Sequence, residues 1–219
     1  MKRPVDCRVY LVTDRQLAGP RPIEDLVGAA VRGGVTAVQF REKACGTREF
    51  VELARRLKAL LVPLGVPLII NDRVDVALAA GADGVHIGQS DMDPRDARAL
   101  LGPHAILGLS VETMEQAREA ESLDLDYLGV SPIFPTLTKP DTAPAWGLAG
   151  LRSLRAASRH VLVGIGGITA ANAAEVIGAG ADGVAVVSAI CAAPDPESAS
   201  REIRRALDET FRARSRRYL

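Results

Sequence analysis

Long apolar runs, paired cysteines, aromatic side chains and net charge are all scarce in this chain, and each scarcity removes a class of function. No stretch of the 219 residues is apolar for the length a bilayer demands, and the opening Met1-Lys-Arg-Pro-Val-Asp6 lacks the apolar run of a secretory leader. The three cysteines, Cys7, Cys45 and Cys191, are odd in number, scattered, and in no metal-ligand spacing, which points to a reducing, cytoplasmic setting. The 27 basic and 27 acidic residues cancel, so no global field draws the chain to nucleic acid or to a membrane. Aromatic residues make up only 4%, too few for a base-stacking surface. What is plentiful is Ala, Val, Leu and Gly. A 47% hydrophobic content in a chain of this length suits one well-buried core built from tightly packed βα units. A single domain over residues 1–219 is expected, with its core at about 8–192 and a last helix and basic tail at about 195–219.

An internal repeat organises that core. Ala80-Gly-Ala-Asp-Gly-Val85 recurs identically as Ala179-Gly-Ala-Asp-Gly-Val184, and Gly33-Gly-Val-Thr-Ala-Val38 is a looser cousin. Each copy follows a helix-like stretch and precedes a short β run, so its glycine reads as a left-handed helix stop just ahead of a buried strand. Several such junctions in sequence imply parallel strands joined by helical crossovers. Strands are expected at 9–13, 37–40, 68–70, 84–87, 106–109, 127–130, 162–165 and 184–187. Helices are expected at 22–32, 47–61, 74–80, 94–101, 113–121, 148–157, 170–178 and 196–214. Eight alternating pairs in so short a chain fit an α/β fold of the (β/α)8 TIM-barrel type. A doubly wound open sheet is the alternative, because alternation alone does not show closure. The basic run from Arg201 to Arg217 reads as a solvated final helix with cations toward its C-terminus.

In a barrel of this kind the chemistry gathers where strands end and βα loops begin. Strand two ends in Gln39-Phe-Arg41-Glu-Lys43, whose period of two would turn Gln39, Arg41 and Lys43 to one side of a continuing strand. Strand three ends in Asn71-Asp72-Arg73, strand four in His86 followed by Gly88-Gln-Ser-Asp91, and strand five in Ser110. Strand six runs into Ser131-Pro-Ile-Phe-Pro-Thr136-Leu-Thr138-Lys139, where Pro132 and Pro135 stop the strand. Strand seven ends in Gly166-Gly167, and strand eight in Val187-Ser188. Singly, each has a plain structural explanation: surface charges at Arg41 and Lys43, a hydrogen-bonded core histidine at His86, and helix caps at Asn71, Asp72, Ser110 and Ser188. Their recurrence at the same end of nearly every strand points instead to a site.

Two kinds of anion chemistry divide it. Gly166-Gly167, Ser188 and the hydroxyls of Thr136 and Thr138 suit a phosphate held by backbone N–H groups and O–H donors. Arg41, Lys43 and Lys139 form a second, cationic group, with Asp72 and Asp91 on neighbouring loops. Two carboxylates among those cations make a poor anion site unless a divalent metal stands between, and Mg2+ takes one or two carboxylates plus phosphate oxygens. A site for two anionic small molecules is expected.

Seven segments carry a family resemblance: Tyr10-Leu-Val-Thr-Asp14, Gln39-Phe-Arg-Glu-Lys43, Ile70-Asn-Asp-Arg73, Val85-His-Ile-Gly-Gln-Ser-Asp91, Phe134-Pro-Thr-Leu-Thr-Lys139, Ile165-Gly-Gly-Ile168 and Val186-Val-Ser-Ala-Ile190. Along nearly its whole length the chain resembles the thiamine-phosphate synthase family. The resemblance implies a barrel that joins a hydroxymethylpyrimidine diphosphate to a thiazole phosphate with release of pyrophosphate, by a dissociative route assisted by Mg2+. By motif, Arg41, Lys43, Asn71 and Lys139 would bind the diphosphate, and Asp72 and Asp91 would hold the metal. Gln39 and Ser110 would sit near the pyrimidine, with His86 close by. Thr136, Thr138, Gly167 and the backbone at Val187 and Ser188 would hold the thiazole phosphate. Arg41, Lys43, Lys139 and Ser110 make up the implied catalytic set. The partners implied are these two small molecules, with no nucleic acid and no membrane; a homo-oligomer is compatible with the sequence.

The chain departs from the family pattern at three places. Val111-Glu112-Thr113 follows Ser110 where Thr-His-Thr is frequent, Ser131 replaces a common Gly, and Ser90 stands where an acidic residue is frequent. A related thiazole tautomerase branch lacks the metal aspartate and the full Thr-x-Thr-Lys segment and uses a histidine where this chain has Glu112, so the motifs favour the synthase. The intact cation-plus-carboxylate set argues against a non-catalytic regulator on the same scaffold, and another phosphate-binding barrel such as a phosphosugar isomerase explains Gly166-Gly167 and Ser188 but not the Asp72–Asp91 pair. The length and proline content of the 131–146 loop suggest a lid over the site.

Overall fold

The computed structural model describes residues 5–136 and 143–215, with side chains through Arg212. Eight parallel strands close into a barrel in chain order: β1 (Val9–Val12), β2 (Ala37–Phe40), β3 (Leu68–Asn71), β4 (Gly84–Ile87), β5 (Ile106–Val111), β6 (Tyr127–Val130), β7 (Val161–Ile165) and β8 (Gly183–Val186). Pairing of β1 with β8, Tyr10 against Ala185, completes the ring and excludes the open sheet. The helices are α1 (Arg15–Ala18), α2 (Ile23–Arg32), α3 (Thr47–Leu61), α4 (Val74–Ala80), α5 (Pro94–Leu101), α6 (Met114–Ala120), α7 (Gly147–Ala157), α8 (Ala173–Gly178), α9 (Ser188–Cys191) and α10 (Pro196–Ser215). Among the described residues no helix is long and apolar enough to cross a membrane. The expected elements are present with small shifts: β3 and β5 run to Asn71 and Val111, and α8 starts at Ala173, three residues late. The four-residue helices α1 and α9, and a 3-10 turn at Val62–Leu64, are too short to leave a periodic trace in the sequence.

Strand alternation divides the core into two layers. Val9, Leu11, Val38, Phe40, Leu68, Ile70, Val85 and Ile87 face outward against the helices, in one continuous apolar cluster. Tyr10, Val12, Ala37, Ile69, Tyr127, Val163 and Ala185 face inward and fill the barrel. Two residues further along β2 to β5, the inward positions become Gln39, Asn71, His86 and Ser110. The same period that packs the interior therefore lifts a polar layer to the C-terminal mouth.

The repeat has a physical role at the opposite end. Its fourth residue latches each even-numbered strand to the odd-numbered strand before it. Asp83 donates its N–H to the Leu68 carbonyl and accepts the Leu68 N–H on Oδ2, at 2.9 and 2.8 Å. Asp182 does the same with Leu162 at 2.8 and 3.0 Å. Asp126, outside the repeats recognised in the sequence, does so with Leu107 at 2.8 Å in both directions. Thr36, which holds the Asp place in the looser copy, exchanges the equivalent bonds with Val9, using its hydroxyl. A cation from the helix preceding the odd strand braces each carboxylate: Lys58 at 2.6 Å from Asp83, Arg98 at 3.0 Å from Asp126 and Arg155 at 3.0 Å from Asp182. The glycine after the aspartate is equally constrained. A Cβ on Gly84 would lie 2.0 Å from the Ile106 carbonyl oxygen, and one on Gly183 would lie 1.8 Å from that of Cys7. Gly81 is the left-handed stop expected for α4, at φ 66°.

Replacing Asp182 by Ala strands the Leu162 N–H and takes an acceptor from Arg155. It is expected to cost about 1–3 kcal/mol, which lowers the melting temperature of a chain this size by several degrees. A thermal melt matching the unmodified protein rejects the latch.

Candidate active site

A cavity of about 530 Å3 opens at the C-terminal mouth of the barrel. Every expected site residue that the structure describes lines it: Gln39, Arg41, Lys43, Asn71, Asp72, His86, Asp91, Ser110, Thr136, Gly167, Val187 and Ser188. Thr138 and Lys139 lie outside the described residues. β2 ends at Phe40, so Arg41 and Lys43 leave from a bend and not from a continuing strand, yet both still reach the cavity with Gln39.

The charged side of the cavity comes from β1 to β4. Arg41 is held by the end of β1: its N–H donates to Thr13 Oγ1 at 3.0 Å, and its guanidinium lies 3.3 Å from Asp14. Asp14 also caps α1 through the N–H groups of Gln16 and Leu17, so the short helix fixes the carboxylate that aims Arg41. Lys43 Nζ donates to Asp72 Oδ2 at 2.7 Å. Asp72 has φ 63°, the only described non-glycine residue in the left-handed region, and its N–H donates to the His86 carbonyl at 2.8 Å. Asp91 turns back over its own loop to accept the Gly88 N–H at 2.7 Å. Burial raises the Asp91 carboxyl above its ordinary pKa. The Gly88 N–H opposes that, while the neighbouring Asp72 carboxylate adds to it. Two carboxylates crowded together, one of them reluctant to ionise, form a pair that could hold a divalent cation. Among the described residues no group of three His, Cys, Asp or Glu side chains has metal-binding geometry.

The opposite side comes from β6 to β8. Ser131-Pro132 is a cis peptide, and the segment after it is pinned to β7: Ile133 N–H donates to Ile165 O at 2.8 Å and Phe134 N–H to Gly166 O at 3.1 Å. Gly166 and Gly167 make that contact feasible, since a Cβ on either would come within 2.7–2.8 Å of Pro132 or of Phe134 and Pro135. Their left-handed backbone, φ 102° and 64°, is accessible to glycine. The expected helix N-terminus does not directly follow Gly167. Asn172 intervenes, accepting from Thr169 N–H at 2.8 Å and donating to Gly167 O at 2.9 Å, so α8 begins beyond this turn. Val187 and Ser188 open α9 instead, and leading N–H groups of a helix have no carbonyl within it to satisfy. The far end of the 131–146 loop is tied back by Trp146 N–H to Pro132 O at 2.9 Å and Gly147 N–H to Ile133 O at 3.0 Å. The expected lid thus has anchored ends, and its centre, 137–142, lies outside the described residues.

Sequence reading missed four contributors. Tyr10 and Tyr127 pass for ordinary strand residues but lie beneath the cavity among its lining, with their hydroxyls meeting at 2.7 Å. Gln89 donates to the Ser110 carbonyl at 2.6 Å and steadies that strand end. Glu112, noted in the sequence only as a departure, lines the cavity and accepts the Ala143 N–H at 3.3 Å. No local pattern marks the tyrosines, which are 117 positions apart.

The backbone at Asp72 yields a direct test. A left-handed conformation costs a side-chain-bearing residue about 1 kcal/mol more than glycine, equivalent to about 2–4 °C in a domain of this size. Asp72→Gly should therefore melt above Asp72→Ala by that margin. Equal melting temperatures in differential scanning calorimetry would mean that the conformation stores no strain.

Comparison with known proteins agrees with this geometry. A family model described as thiamine monophosphate synthase matches residues 9–190. The thiamine-phosphate synthase of Albidiferax ferrireducens is 58% identical over 92% of this chain and 92% of its own. That of Xanthobacter autotrophicus is 56% identical over 94% and 98%. Among solved structures, the thiamine phosphate pyrophosphorylase from Pyrococcus furiosus superposes with a TM-score of 0.87 at 39% identity, over 95% of this chain and 98% of that one. A cavity with this set of residues, matched across the barrel by a family model and by relatives this close, leads to one assignment: the chain belongs to the thiamine monophosphate synthase family.

Proposed function

We propose that this enzyme joins 4-amino-2-methyl-5-hydroxymethylpyrimidine diphosphate to a thiazole phosphate, forming thiamine phosphate and pyrophosphate, as a cytoplasmic transferase. The observation that carries the reading is the division of one cavity into two unlike sides with a polar floor between them. Arg41, Lys43, Asp72 and Asp91 occupy one side, and Gly167, Val187 and Ser188 the other.

The chemistry follows from that arrangement. The bond between the pyrimidine's methylene carbon and the bridging oxygen breaks, and its electron pair leaves with pyrophosphate. The electron-deficient carbon shares its charge with the aminopyrimidine ring until the thiazole nitrogen supplies a pair and forms the new C–N bond. The chief demand on the protein is to stabilise charge developing on the leaving group, which fixed cations do best where little reorganisation is needed. Asp14 and Thr13 hold Arg41 in advance, and Asp72 holds Lys43. A Mg2+ ion held by Asp72 and Asp91 would act as a Lewis acid toward the diphosphate oxygens. Both residues fit that role, because their crowding is what a cation relieves, and Lys43 would then be released toward the diphosphate. Gln39 and Ser110 face the pyrimidine, with Asn71 beside the diphosphate. Thr136 and the backbone at Gly167, Val187 and Ser188 serve the acceptor's phosphate. The assignments of Thr138 to the thiazole phosphate and Lys139 to the departing diphosphate rest on the family motif. Enclosing the pair would keep water from the reactive carbon.

The test is a coupling assay with purified protein, both substrates and Mg2+, each omitted in turn. Turnover should require all three. Arg41→Ala should lower kcat by about 10²–10³, the usual cost of losing one preorganised charge-stabilising donor. Asp91→Ala should lose Mg2+-dependent coupling while keeping its melting temperature. Full turnover in the presence of chelator would remove the metal assignment, and an Arg41→Ala effect confined to the KM for thiazole phosphate would move Arg41 to the other anion.

A further inference from the structure

Gln39 and Ser110 stand at the two ends of an unbroken chain of hydrogen bonds across the barrel floor. Gln39 Nε2 donates to Tyr10 Oη at 3.1 Å, and the Tyr10 and Tyr127 hydroxyls meet at 2.7 Å. Tyr127 Oη lies 2.9 Å from His86 Nδ1, and His86 Nε2 lies 2.8 Å from Ser110 Oγ. The four links join strands β1, β2, β4, β5 and β6. Tyr10 and Tyr127 are 1% and 0% exposed, so water does not compete for their hydroxyls.

The space for this chain is built by two glycines. A Cβ on Gly108 would fall 2.2 Å from the Tyr127 ring, and one on Gly129 would fall 2.9 Å from His86 Cε1. Tyr127 also stacks on the His86 ring, with centroids 5.4 Å apart at 20°, and meets Tyr10 edge to face at 5.7 Å. Burial raises both phenol pKa values far above their ordinary range, so each hydroxyl keeps its single proton.

One proton per phenol makes the chain directional. A phenol that accepts from an amide N–H on one side has its own proton to give on the other. In the sense that spends every phenol proton within the chain, Tyr10 accepts from Gln39 and donates to Tyr127. Tyr127 then donates to His86 Nδ1, which leaves the imidazole its proton on Nε2 to give to Ser110 Oγ. That sense leaves the Ser110 proton for a partner in the cavity that Ser110 lines. A neutral imidazole has one N–H, so reversing the His86–Ser110 bond also reverses the Tyr127–His86 bond.

We propose that Tyr10, Tyr127 and His86 are positioning residues, a one-way hydrogen-bond relay that ties the Gln39 amide to Ser110 and holds Ser110 as a donor toward an acceptor nitrogen of the pyrimidine substrate. The relay makes recognition at its two ends a single event: an aminopyrimidine presents a donor amine and acceptor ring nitrogens, and the relay fixes which protein end gives and which receives. A ring with donors and acceptors exchanged meets a mismatch that one residue cannot correct by rotating. The substrate role rests on the synthase reading; the direction of the relay does not.

Imidazole 15N NMR on full-length protein labelled at histidine reads the direction without any substrate, and only three histidines contribute signals. His86 should carry its proton on Nε2. In Tyr127→Phe, which removes the donor to Nδ1, a population protonated on Nδ1 should emerge. Tyr10→Phe, which disconnects Gln39, should release the tautomer in the same way. In both variants the KM for the pyrimidine diphosphate should rise about three- to tenfold, the effect of one lost hydrogen bond, with the KM for thiazole phosphate unchanged. A proton on Nδ1 in the unmodified protein overturns the stated direction. An unchanged tautomer in both variants overturns the relay, and equal losses toward both substrates overturn its role in recognition. A protein that fails to couple the substrates at all refutes the synthase reading alone, because the tautomer measurement still decides the relay.

Discussion

Everything at the mouth of this barrel depends on register, and register is tied down at the other end. In a closed sheet of parallel strands, a slip of one residue exchanges the inward and outward faces of a strand. The latches made by Thr36, Asp83, Asp126 and Asp182 each bind both the N–H and the carbonyl of one residue on the preceding strand, which only one register permits. They recur at every second strand, so the eight strands are joined at their starts as four pairs. The bracing cations make removal of any carboxylate costly, since a basic group and a strand N–H would both lose their acceptor. Gly84 and Gly183 sit beside two of the latches, where the neighbouring backbone leaves no room for a side chain.

Once register is set, a short chain can build a site economically. Ala37, Ile69, Gly84 and Gly108 point inward low in the barrel, and Gln39, Asn71, His86 and Ser110 point inward one step higher. The change from filling to function takes two residues per strand and needs no extra element. Small residues matter as much as polar ones, both in the lower layer at Gly108 and level with Ser110 at Gly129. Gly108 and Gly129 leave the volume that the Tyr127 and His86 rings occupy, so the polar floor rests on apolar positions kept empty. The cationic group is arranged differently, on bends beyond the strands, and it depends on side-chain partners such as Asp14 and Asp72 to hold its direction.

This division explains what could be read from the sequence. The repeat, the alternation and the polar residue at each strand end are local patterns, and they were enough for alternating parallel βα units and for Gln39, Arg41, Lys43, Asn71, Asp72, His86, Asp91 and Ser110 as neighbours. Closure was not local, and the β1–β8 pairing decided it. Asp126 escaped because its surroundings, Asp124-Leu-Asp126-Tyr, share only the carboxylate with the repeat. The helices α1 and α9 are single turns without a periodic face. Tyr10 and Tyr127 were hidden for a different reason: a tyrosine on a buried strand looks like packing, and its hydroxyl's partner is set by the curvature that brings β1 and β6 across the barrel from one another.

The glycine pair after β7 shows how one motif can meet two demands that reinforce each other. A phosphate cradle needs backbone that a ligand can approach, and glycine provides it. Here the same two residues admit Pro132 and Phe134 from the β6 loop at distances that any Cβ would forbid. The loop is thereby sewn to β7 through Ile133 and Phe134, and its return at Trp146 and Gly147 is sewn to the loop itself. Thr136 reaches the cavity from this anchored stretch. Thr136 and the glycine backbone of the next loop are therefore carried on segments tied directly to one another. Preorganisation of that kind lowers the ordering cost of binding an anion. A side chain at Gly166 or Gly167 would unseat the loop, and under the proposed function it would also obstruct the backbone assigned to the acceptor's phosphate.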